Sequence, residues 1–417
     1  MRTPKRGYAQ RTIDENFAIE RRNFMKVTIS DSIKYIGVDD RDIDLFESQY
    51  VVPDGVTYNS YLILDEKTAL MDTVDARKMT EWEQNLKEAL DGRKIDFLIV
   101  SHLEPDHAGS IARVLELYPD VIIVGNAKTF NMLPQFFDIA LDDRMIIVKE
   151  GDSIPLGSHT LHFYMAPMVH WPEVMVTYES SEKVLFSADG FGKFGAMDAD
   201  DDEGWACEAR RYYFNIVGKY GTSVQALLKK LAGVDVSMIC PLHGPILKED
   251  LGYYIGLYDT WSSYRPENTG VLVAYASIHG NTAKAARKLA DLLREQGVEK
   301  VVVSDLARED MAEVIEDAFR YDRMVLAAAS YDGGVFPCMQ DFLHHLQSKG
   351  YQKRTVGILE NGSWAPTAGR TMKAIIETMK NVSIVEPAVT IKSTLKEENM
   401  ADMQALAEAM AEAGMQE

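Results

Sequence analysis

The chain has 417 residues, enough for two domains that each bury a core. Its net charge of -20 argues against a nucleic-acid partner, and no apolar run approaches the roughly 20 residues of a membrane span, so we expect a soluble, cytoplasmic protein. The three cysteines, Cys207, Cys240 and Cys338, form no C-x-x-C pair, which excludes a disulfide framework and a rubredoxin-type iron site.

The N-terminal segment, residues 1–24, is basic and polar in an otherwise acidic chain. Arg21 and Arg22 look superficially like a twin-arginine export signal, but polar residues between Ser30 and Lys34 interrupt the apolar segment that such a signal requires. We therefore predict a disordered extension over residues 1–24, with the first domain beginning at residue 25.

Four side chains able to bind metal follow the apolar run 97–100: His102, Glu104, Asp106 and His107. A single His or Asp after a strand is more often solvated or hydrogen-bonded. Imidazoles and carboxylates crowded into one turn, however, can converge on an ion, and the adjacent Asp106 and His107 can reach a second one. The cluster predicts half of a two-metal site.

Three further candidate ligands, His170, Asp189 and His243, occur where strand-like apolar segments break into loops marked by Gly or Pro. Such positions allow side chains from separate strands to meet at one end of a sheet, so these residues are predicted to complete the site. No ligand role is predicted for the other histidines, which are His159, His162, His279, His344 and His345.

The pattern changes after the polar segment 260–268, which contains a proline and is predicted to be a linker. Beyond it, short apolar strands alternate with amphipathic helices at residues 271–276, 283–296, 300–304, 311–319, 324–329 and 355–359. This alternation predicts a doubly wound parallel sheet. The predicted domains are thus residues 25–264 and 269–417.

Three loops of this second half follow its predicted strands, where such a sheet binds its ligand. The first precedes a helix and provides hydroxyls, a glycine and backbone N–H groups for a phosphate. The other two pair an aromatic residue with glycines and suit an isoalloxazine ring. The candidates are Ser277, Ile278, His279, Gly280, Asn281 and Thr282; Ser330, Tyr331, Asp332, Gly333 and Gly334; and Asn361, Gly362, Ser363 and Trp364. No G-x-G-x-x-G fingerprint follows the first strand, which disfavours NAD and FAD.

The first half resembles the metallo-β-lactamase fold, and the second resembles flavodoxin. The usual zinc-hydrolase pattern is His-x-His-x-Asp-His. In this chain Glu104 replaces the second His, and the additional oxygen ligand favours iron over zinc. The whole pattern resembles the flavodiiron proteins. That resemblance implies an αββα sandwich followed by a flavodoxin-like doubly wound parallel sheet. It also implies one iron on His102, Glu104 and His170, a second on Asp106, His107 and His243, and Asp189 between them.

By the same resemblance, we expect an oxidoreductase that reduces O2 to water, NO to N2O, or both, at a non-haem di-iron centre supplied with electrons by FMN. A rubredoxin or similar small protein would be the donor. The family also implies a head-to-tail homodimer or a dimer of dimers. Trp171 and Phe194 are candidates for lining a gas pocket.

Two other functions stay open. One is a dinuclear zinc metallohydrolase with a regulatory flavodoxin-like domain, against which Glu104 argues. The other is an electron carrier or redox sensor that uses FMN alone, which the seven candidate ligands disfavour.

Overall fold

The computed structural model describes residues 29–141, 143–199 and 204–415. The predicted N-terminal extension, residues 1–24, lies outside this part of the chain. Among the described residues, no helix combines the length and the apolar content that crossing a bilayer requires.

The first half contains two main sheets and seven α-helices within the described residues. Strands β1–β15 are Ile33–Tyr35, Val38–Asp40, Leu45–Phe46, Tyr50–Val51, Val56–Tyr58, Tyr61–Ile63, Ala69–Met71, Phe97–Ile99, Ile122–Gly125, Met145–Ile147, Ser153–Pro155, Thr160–Met165, Met175–Glu179, Val184–Phe186 and Met238–Cys240. Helices α1–α7 are Met79–Leu90, Pro105–Ala108, Ile111–Leu117, Ala127–Met132, Trp205–Tyr212, Gly221–Leu231 and Leu251–Ser262.

The six-stranded sheet has the order β1-β6-β7-β8-β9-β10, and the five-stranded sheet has the order β11-β12-β13-β14-β15. Side chains alternate between the faces of a strand. Met71 and Ile99 therefore join the core between the sheets, where they share a cluster with Phe163, while Leu70 and Leu98 join the apolar cluster on the other face. Burial on both faces explains why these strands read as continuous apolar runs.

The second half is built around a parallel sheet. Strands β16–β22 are Asn268–Ala276, Val301–Asp305, Tyr321–Tyr331, Gly334–Val335, Arg354–Asn361, Val382–Ile384 and Val389–Ile391, and helices α8–α12 are Asn281–Glu295, Met311–Arg320, Pro337–Ser348, Ala368–Ile376 and Met400–Glu412. The main order is β17-β16-β18-β20-β21, all in parallel pairs, with β22 also pairing β20. This is the flavodoxin order 2-1-3-4-5. The predicted fold class is confirmed for both halves.

The predicted linker at residues 260–268 is longer than the connection in the structure. Helix α7 continues to Ser262, and β16 already begins at Asn268. The helix continues because Trp261 is buried and donates its indole N–H to Glu267 over 2.7 Å, a contact that a polar sequence pattern does not reveal. The domain limits 25–264 and 269–417 stay a prediction.

The two halves meet where α5 and the π-helical turn after it, Tyr213–Val217, pack against α9. The rings of Phe214 and Phe319 stack with their centroids 4.3 Å apart. Beside them, the buried Arg210 forms ion pairs with Glu316 and Glu267. Aromatic stacking and buried charge pairs thus hold the second half against the first.

An ionic cluster joins three turns at the end of the sandwich opposite His170, Asp189 and His243. The nitrogens Nδ1 and Nε2 of His159 lie 2.7 Å from Asp65 and 3.2 Å from Glu182. Burial disfavours the charged imidazole, but these hydrogen bonds outweigh it and raise the pKa of His159. Burial likewise opposes ionisation of Asp65, yet its hydrogen bonds to His159 lower the pKa of that carboxyl.

These pKa shifts predict a pH-dependent contribution to stability. The folded pKa of His159 is raised, so its contribution is complete below the unfolded value of about 6.5 and is lost as the pH rises through the folded value. His159→Gln should therefore lower the free energy of unfolding by about 1 kcal/mol at pH 5.5 and by less at pH 9. Urea unfolding at both pH values measures this, with the half-buried His162→Gln as control. An equal loss at both pH values would contradict it.

Candidate functional site

The predicted metal ligands come together at one end of the sandwich. His102 and Glu104 follow β8, and Pro105 starts the short helix α2 that carries Asp106 and His107. Proline suits the first turn of a helix, where its missing N–H costs nothing. The loops after β12, β14 and β15 bring His170, Asp189 and His243 to the same end, although these residues lie far apart in the sequence.

Four of the seven residues form a first group. The Glu104 Oε2 atom lies 3.1 Å from Nε2 of His102 and 3.1 Å from Nε2 of His170. The Oδ2 atom of Asp189 lies 3.3 Å and 3.2 Å from the same two nitrogens. The four donor atoms all lie within 4.8 Å of one another.

The other three residues form a second group against the opposite oxygen of Asp189. The Oδ2 atom of Asp106 lies 3.3 Å from Nε2 of His107 and 3.2 Å from Nε2 of His243, and the two nitrogens are 3.0 Å apart. The Oδ1 atom of Asp189 lies 3.3 Å from Nε2 of His107 and 3.8 Å from Nε2 of His243. Asp189 therefore faces both groups, one with each oxygen.

This arrangement fits two metal ions. Both oxygens of Asp106 and of Asp189, and Nε2 of His170, are buried and have no hydrogen-bond partner among the described residues. Buried polar atoms normally have partners. Donor atoms sharing an ion at bond lengths of about 2.1 Å lie roughly 3 Å apart, which matches the spacing here. A set of four imidazoles and three carboxylates suits iron, whereas many zinc sites contain cysteine sulfur.

The donor atoms influence one another's protonation. Burial would raise the pKa of Asp189, but the neighbouring imidazoles of His102 and His107 hold it well below its usual range. Burial would lower the pKa of His170, yet the adjacent carboxylates of Asp189 and Glu104 raise it to about 9. The carboxylate of Asp189 is therefore ionised at neutral pH, which favours a cation beside it.

Two residues that orient the ligands are missed by the sequence analysis. The Nδ1–H of His102 donates to Glu173 over 2.8 Å, and Glu173 also accepts from the backbone N–H of Leu103. The Nδ1–H of His243 donates to the backbone carbonyl of Thr57 over 2.6 Å. Each hydrogen bond places the ring proton on Nδ1, so that the lone pair of Nε2 faces the site and can bind a metal. Glu173 lies 71 residues from His102, so no local pattern indicates the contact.

Aromatic rings enclose the histidines. The rings of Trp171 and His102 meet edge-on with centroids 5.1 Å apart. Phe46 and Tyr212, which the sequence analysis missed, approach the ring of His243 at 5.4 Å and 5.5 Å. These rings exclude water from much of the site.

Phe194, a predicted lining residue, contacts two of these rings but not the histidines that they enclose. Its ring contacts those of Phe46 and Tyr212 at centroid distances of 5.5 Å and 5.2 Å. It supports the two rings that contact His243.

The three predicted flavin loops lie side by side, because β16, β18 and β20 are neighbours in the sheet. The Asn361 side chain donates to Oγ1 of Thr282 over 3.3 Å, linking the first and third loops. The hydroxyl of Ser330 accepts from the backbone N–H of Thr367 over 2.8 Å, linking the second and third. The structure therefore brings all three loops to one edge of the sheet.

The loops leave an open surface between them. Thr282 and Asn361 are buried, whereas Ile278, Tyr331 and Trp364 are exposed, Trp364 by 93%. The remaining predicted residues are partly or fully exposed, namely Ser277, His279, Gly280, Asn281, Ser330, Asp332, Gly333, Gly334, Gly362 and Ser363. A large ring that is almost fully exposed suits stacking against a flat ligand.

A further residue at this edge, Ser393, was not predicted. Its backbone N–H donates to Asn361 Oδ1, and its carbonyl accepts from Asn361 Nδ2, both over 2.9 Å. Ser393 follows β22, and the pairing of β22 with β20 brings it beside Asn361. The two residues are 32 positions apart in the sequence, so no local pattern indicates the contact.

Comparison with known proteins supports the same architecture. Residues 56–244 match the family model described as ODP family beta lactamase, and residues 272–392 match that of a flavodoxin domain. A nitric oxide reductase of Moorella thermoacetica is 31% identical over 88% of this chain and 93% of its own length.

Two solved structures superpose over almost the whole chain. The rubredoxin oxygen:oxidoreductase of Desulfovibrio gigas has a TM-score of 0.88 at 26% identity, covering 93% of this chain and 98% of that one. A flavo di-iron protein variant from Thermotoga maritima has a TM-score of 0.83 at 24% identity, covering 92% and 96%. At that identity the second match shows the fold.

Proposed function

We infer the function from one premise, that the chain belongs to the flavodiiron protein family. It is an oxidoreductase. We propose that it reduces O2 to water, NO to N2O, or both, at a di-iron centre that receives electrons through FMN. The observation that supports this best is the pair of donor groups joined by the two oxygens of Asp189.

Seven residues hold the metals in this proposal. One iron would be held by His102, Glu104 and His170 and the other by Asp106, His107 and His243, with Asp189 facing both groups. When bound, the iron pair supplies electrons and polarises the diatomic gas, and FMN supplies further electrons.

The chain's own residues orient the donors and keep the site dry. Glu173 and the Thr57 carbonyl each hold one imidazole in the tautomer that presents Nε2 to the site. The rings of Trp171, Phe46 and Tyr212 surround the imidazoles with apolar surface. A small uncharged gas enters such surroundings more easily than water or an anion.

FMN binds in this proposal at the edge formed by the three loops. The phosphate lies on residues 277–282, at the N-terminus of α8, where backbone N–H groups and the helix dipole favour an anion. The ring lies between residues 330–334 and 361–364.

The electron donor in this proposal is a rubredoxin or a similar small carrier. Three exposed cations, Lys284, Arg370 and Lys392, flank the flavin loops of this acidic chain. They provide local positive charge for an acidic partner, which speeds association at low salt.

The position of the flavin edge within one chain supports a head-to-tail dimer. β18 runs 11 residues from Tyr321, beside the metal-binding half, to Tyr331 at the flavin edge, or about 33 Å. The flavin edge of a chain therefore lies far from its own metal centre. We propose that a second copy places its flavin edge beside this centre, in a homodimer or a dimer of dimers.

Trp364→Ala tests the dimer. The exposed Trp364 ring lies at the flavin edge that the dimer would place beside the partner's metal centre, so its loss should weaken dimerisation and reduce turnover per bound FMN, with iron content unchanged. Sedimentation velocity and O2 consumption measure both, with the exposed Tyr253→Ala as control. Unchanged turnover in a proven monomer would refute the arrangement.

Metal analysis and turnover test the function itself. Protein purified without added metal should contain two irons per chain. When the protein is reduced anaerobically by a rubredoxin and its reductase and each gas is then added, it should consume O2, NO or both. Zinc in place of iron, with no gas consumption, would instead support the dinuclear metallohydrolase.

A further inference from the structure

A short hairpin covers one side of the metal centre. It comprises β3 and β4, residues 45–51, and we call it the metal-centre hairpin. Its turn residues Glu47 and Ser48 have φ angles of 50° and 58°. Non-glycine residues adopt this left-handed conformation at a cost of about 1–2 kcal/mol each, so contacts elsewhere must hold the hairpin.

The hairpin brings two side chains to the centre. The ring of Phe46 meets that of His243 at 5.4 Å. The carboxyl group of Glu47, at the tip, interacts electrostatically with that of Glu104. A displaced hairpin would therefore move the Phe46 ring away from His243. It would also move the Glu47 carboxyl group away from Glu104.

A lysine of the flavodoxin-like half fastens this hairpin. Lys349, just after α10, donates from Nζ to the backbone carbonyl of Asn215 over 2.8 Å and lies 3.4 Å from the hydroxyl of Tyr50. The Tyr50 hydroxyl donates to the same carbonyl over 3.0 Å. The Lys349 ammonium also lies 5.8 Å from the centroid of the Tyr50 ring. Burial lowers the pKa of Lys349 to about 8, consistent with an enclosed contact.

A second contact to the hairpin comes from Arg211 of α5, which is held in turn by Asp310 of the flavodoxin-like half. Arg211 donates to the backbone carbonyl of Val51 over 2.6 Å, and Asp310 holds the guanidinium at 2.6 Å. Asn215, in the π-helical turn, donates its side-chain amide to the carbonyls of Arg211 and Ala312. The hairpin thus rests on residues fixed by the flavodoxin-like half.

We propose that Lys349 is a positioning residue for the metal centre: it holds Tyr50, and through Tyr50 the metal-centre hairpin, so that Phe46 stays against His243. This inference rests on the proposed metal centre but not on the reaction it performs. The flavodoxin-like half accordingly shapes the metal centre of its own chain.

Hydrogen–deuterium exchange tests the inference in metal-free and iron-loaded protein. Lys349→Met should speed exchange in residues 45–51 about tenfold, because a charged hydrogen bond to a buried carbonyl is lost. Lys349→Arg should recover most of the protection. Lys353→Met is the matched control, since Lys353 also crosses between the halves, to the Ser263 carbonyl at 2.8 Å, but does not touch the hairpin.

A second readout addresses the centre. With iron content unchanged, Lys349→Met should weaken NO binding to the ferrous protein several-fold, whereas Lys353→Met should not. Tyr50→Phe should reproduce part of the hairpin effect if Lys349→Met fails to fold. The inference is wrong if residues 45–51 of Lys349→Met exchange at the wild-type rate. The same holds for Tyr50→Phe if that is the variant that folds. It is also wrong if Lys353→Met accelerates exchange in these residues as much as Lys349→Met does. If no iron binds, exchange in the metal-free protein still decides it.

Discussion

Asp189→Ala is expected to remove metal from both halves of the centre and to lower turnover by at least about 100-fold. Asp189 is the residue that faces both donor groups, with Oδ2 toward His102 and His170 and Oδ1 toward His107 and His243. Even residues that only orient a ligand change metal affinity or activity by about 10- to 100-fold, so loss of a shared ligand should cost more.

Iron content by mass spectrometry and gas consumption measure this effect, and circular dichroism checks the fold. The control is Glu179→Gln, a buried carboxylate in β13 that accepts hydrogen bonds from the turn residues Ser181 and Glu182. That variant should keep its iron. Two irons per chain in Asp189→Ala would show that the carboxylate does not bridge.

Gly280→Ala should weaken FMN binding about tenfold or more. Gly280 precedes α8 with φ at +85°, and a Cβ built there meets no protein atom within 4 Å. The added methyl group would occupy the open space in which we place the phosphate. The positive φ alone costs about 1 kcal/mol in stability.

Gly297→Ala separates these two effects. Gly297, after the other end of α8, has φ at +83° and equally open space around its Cβ. Both variants should lose similar free energy of unfolding in the FMN-free protein, but only Gly280→Ala should raise the dissociation constant measured by flavin fluorescence. Equal FMN affinity in the two variants would remove residues 277–282 from the phosphate site.

The helices and strands of the flavodoxin-like half were predictable because each is short and strongly periodic. The predicted helix 311–319 is α9, and the predicted strand 324–329 is the centre of β18. The limits shifted where tertiary contacts extend an element. β18, for example, continues to Tyr331, where it pairs with β19.

The candidate ligands were predictable for a different reason. Each stands near the end of an apolar strand, and strand ends at one edge of a sandwich are brought together by the fold. Their supporting residues were not predictable. Glu173 and the Thr57 carbonyl take part through contacts that cross from one element to another, and neither carries a distinctive sequence pattern.

The sequence by itself determined which residue types are available and in what order: the donor-rich turn at residues 102–107, three later donors, and glycine-containing loops after parallel strands. Those are local properties of composition and periodicity. Only the tertiary structure decided that Asp189 faces both donor groups, and that Lys349 fastens a hairpin about 300 residues earlier. Such contacts depend on how packed layers align distant residues, which no local pattern specifies.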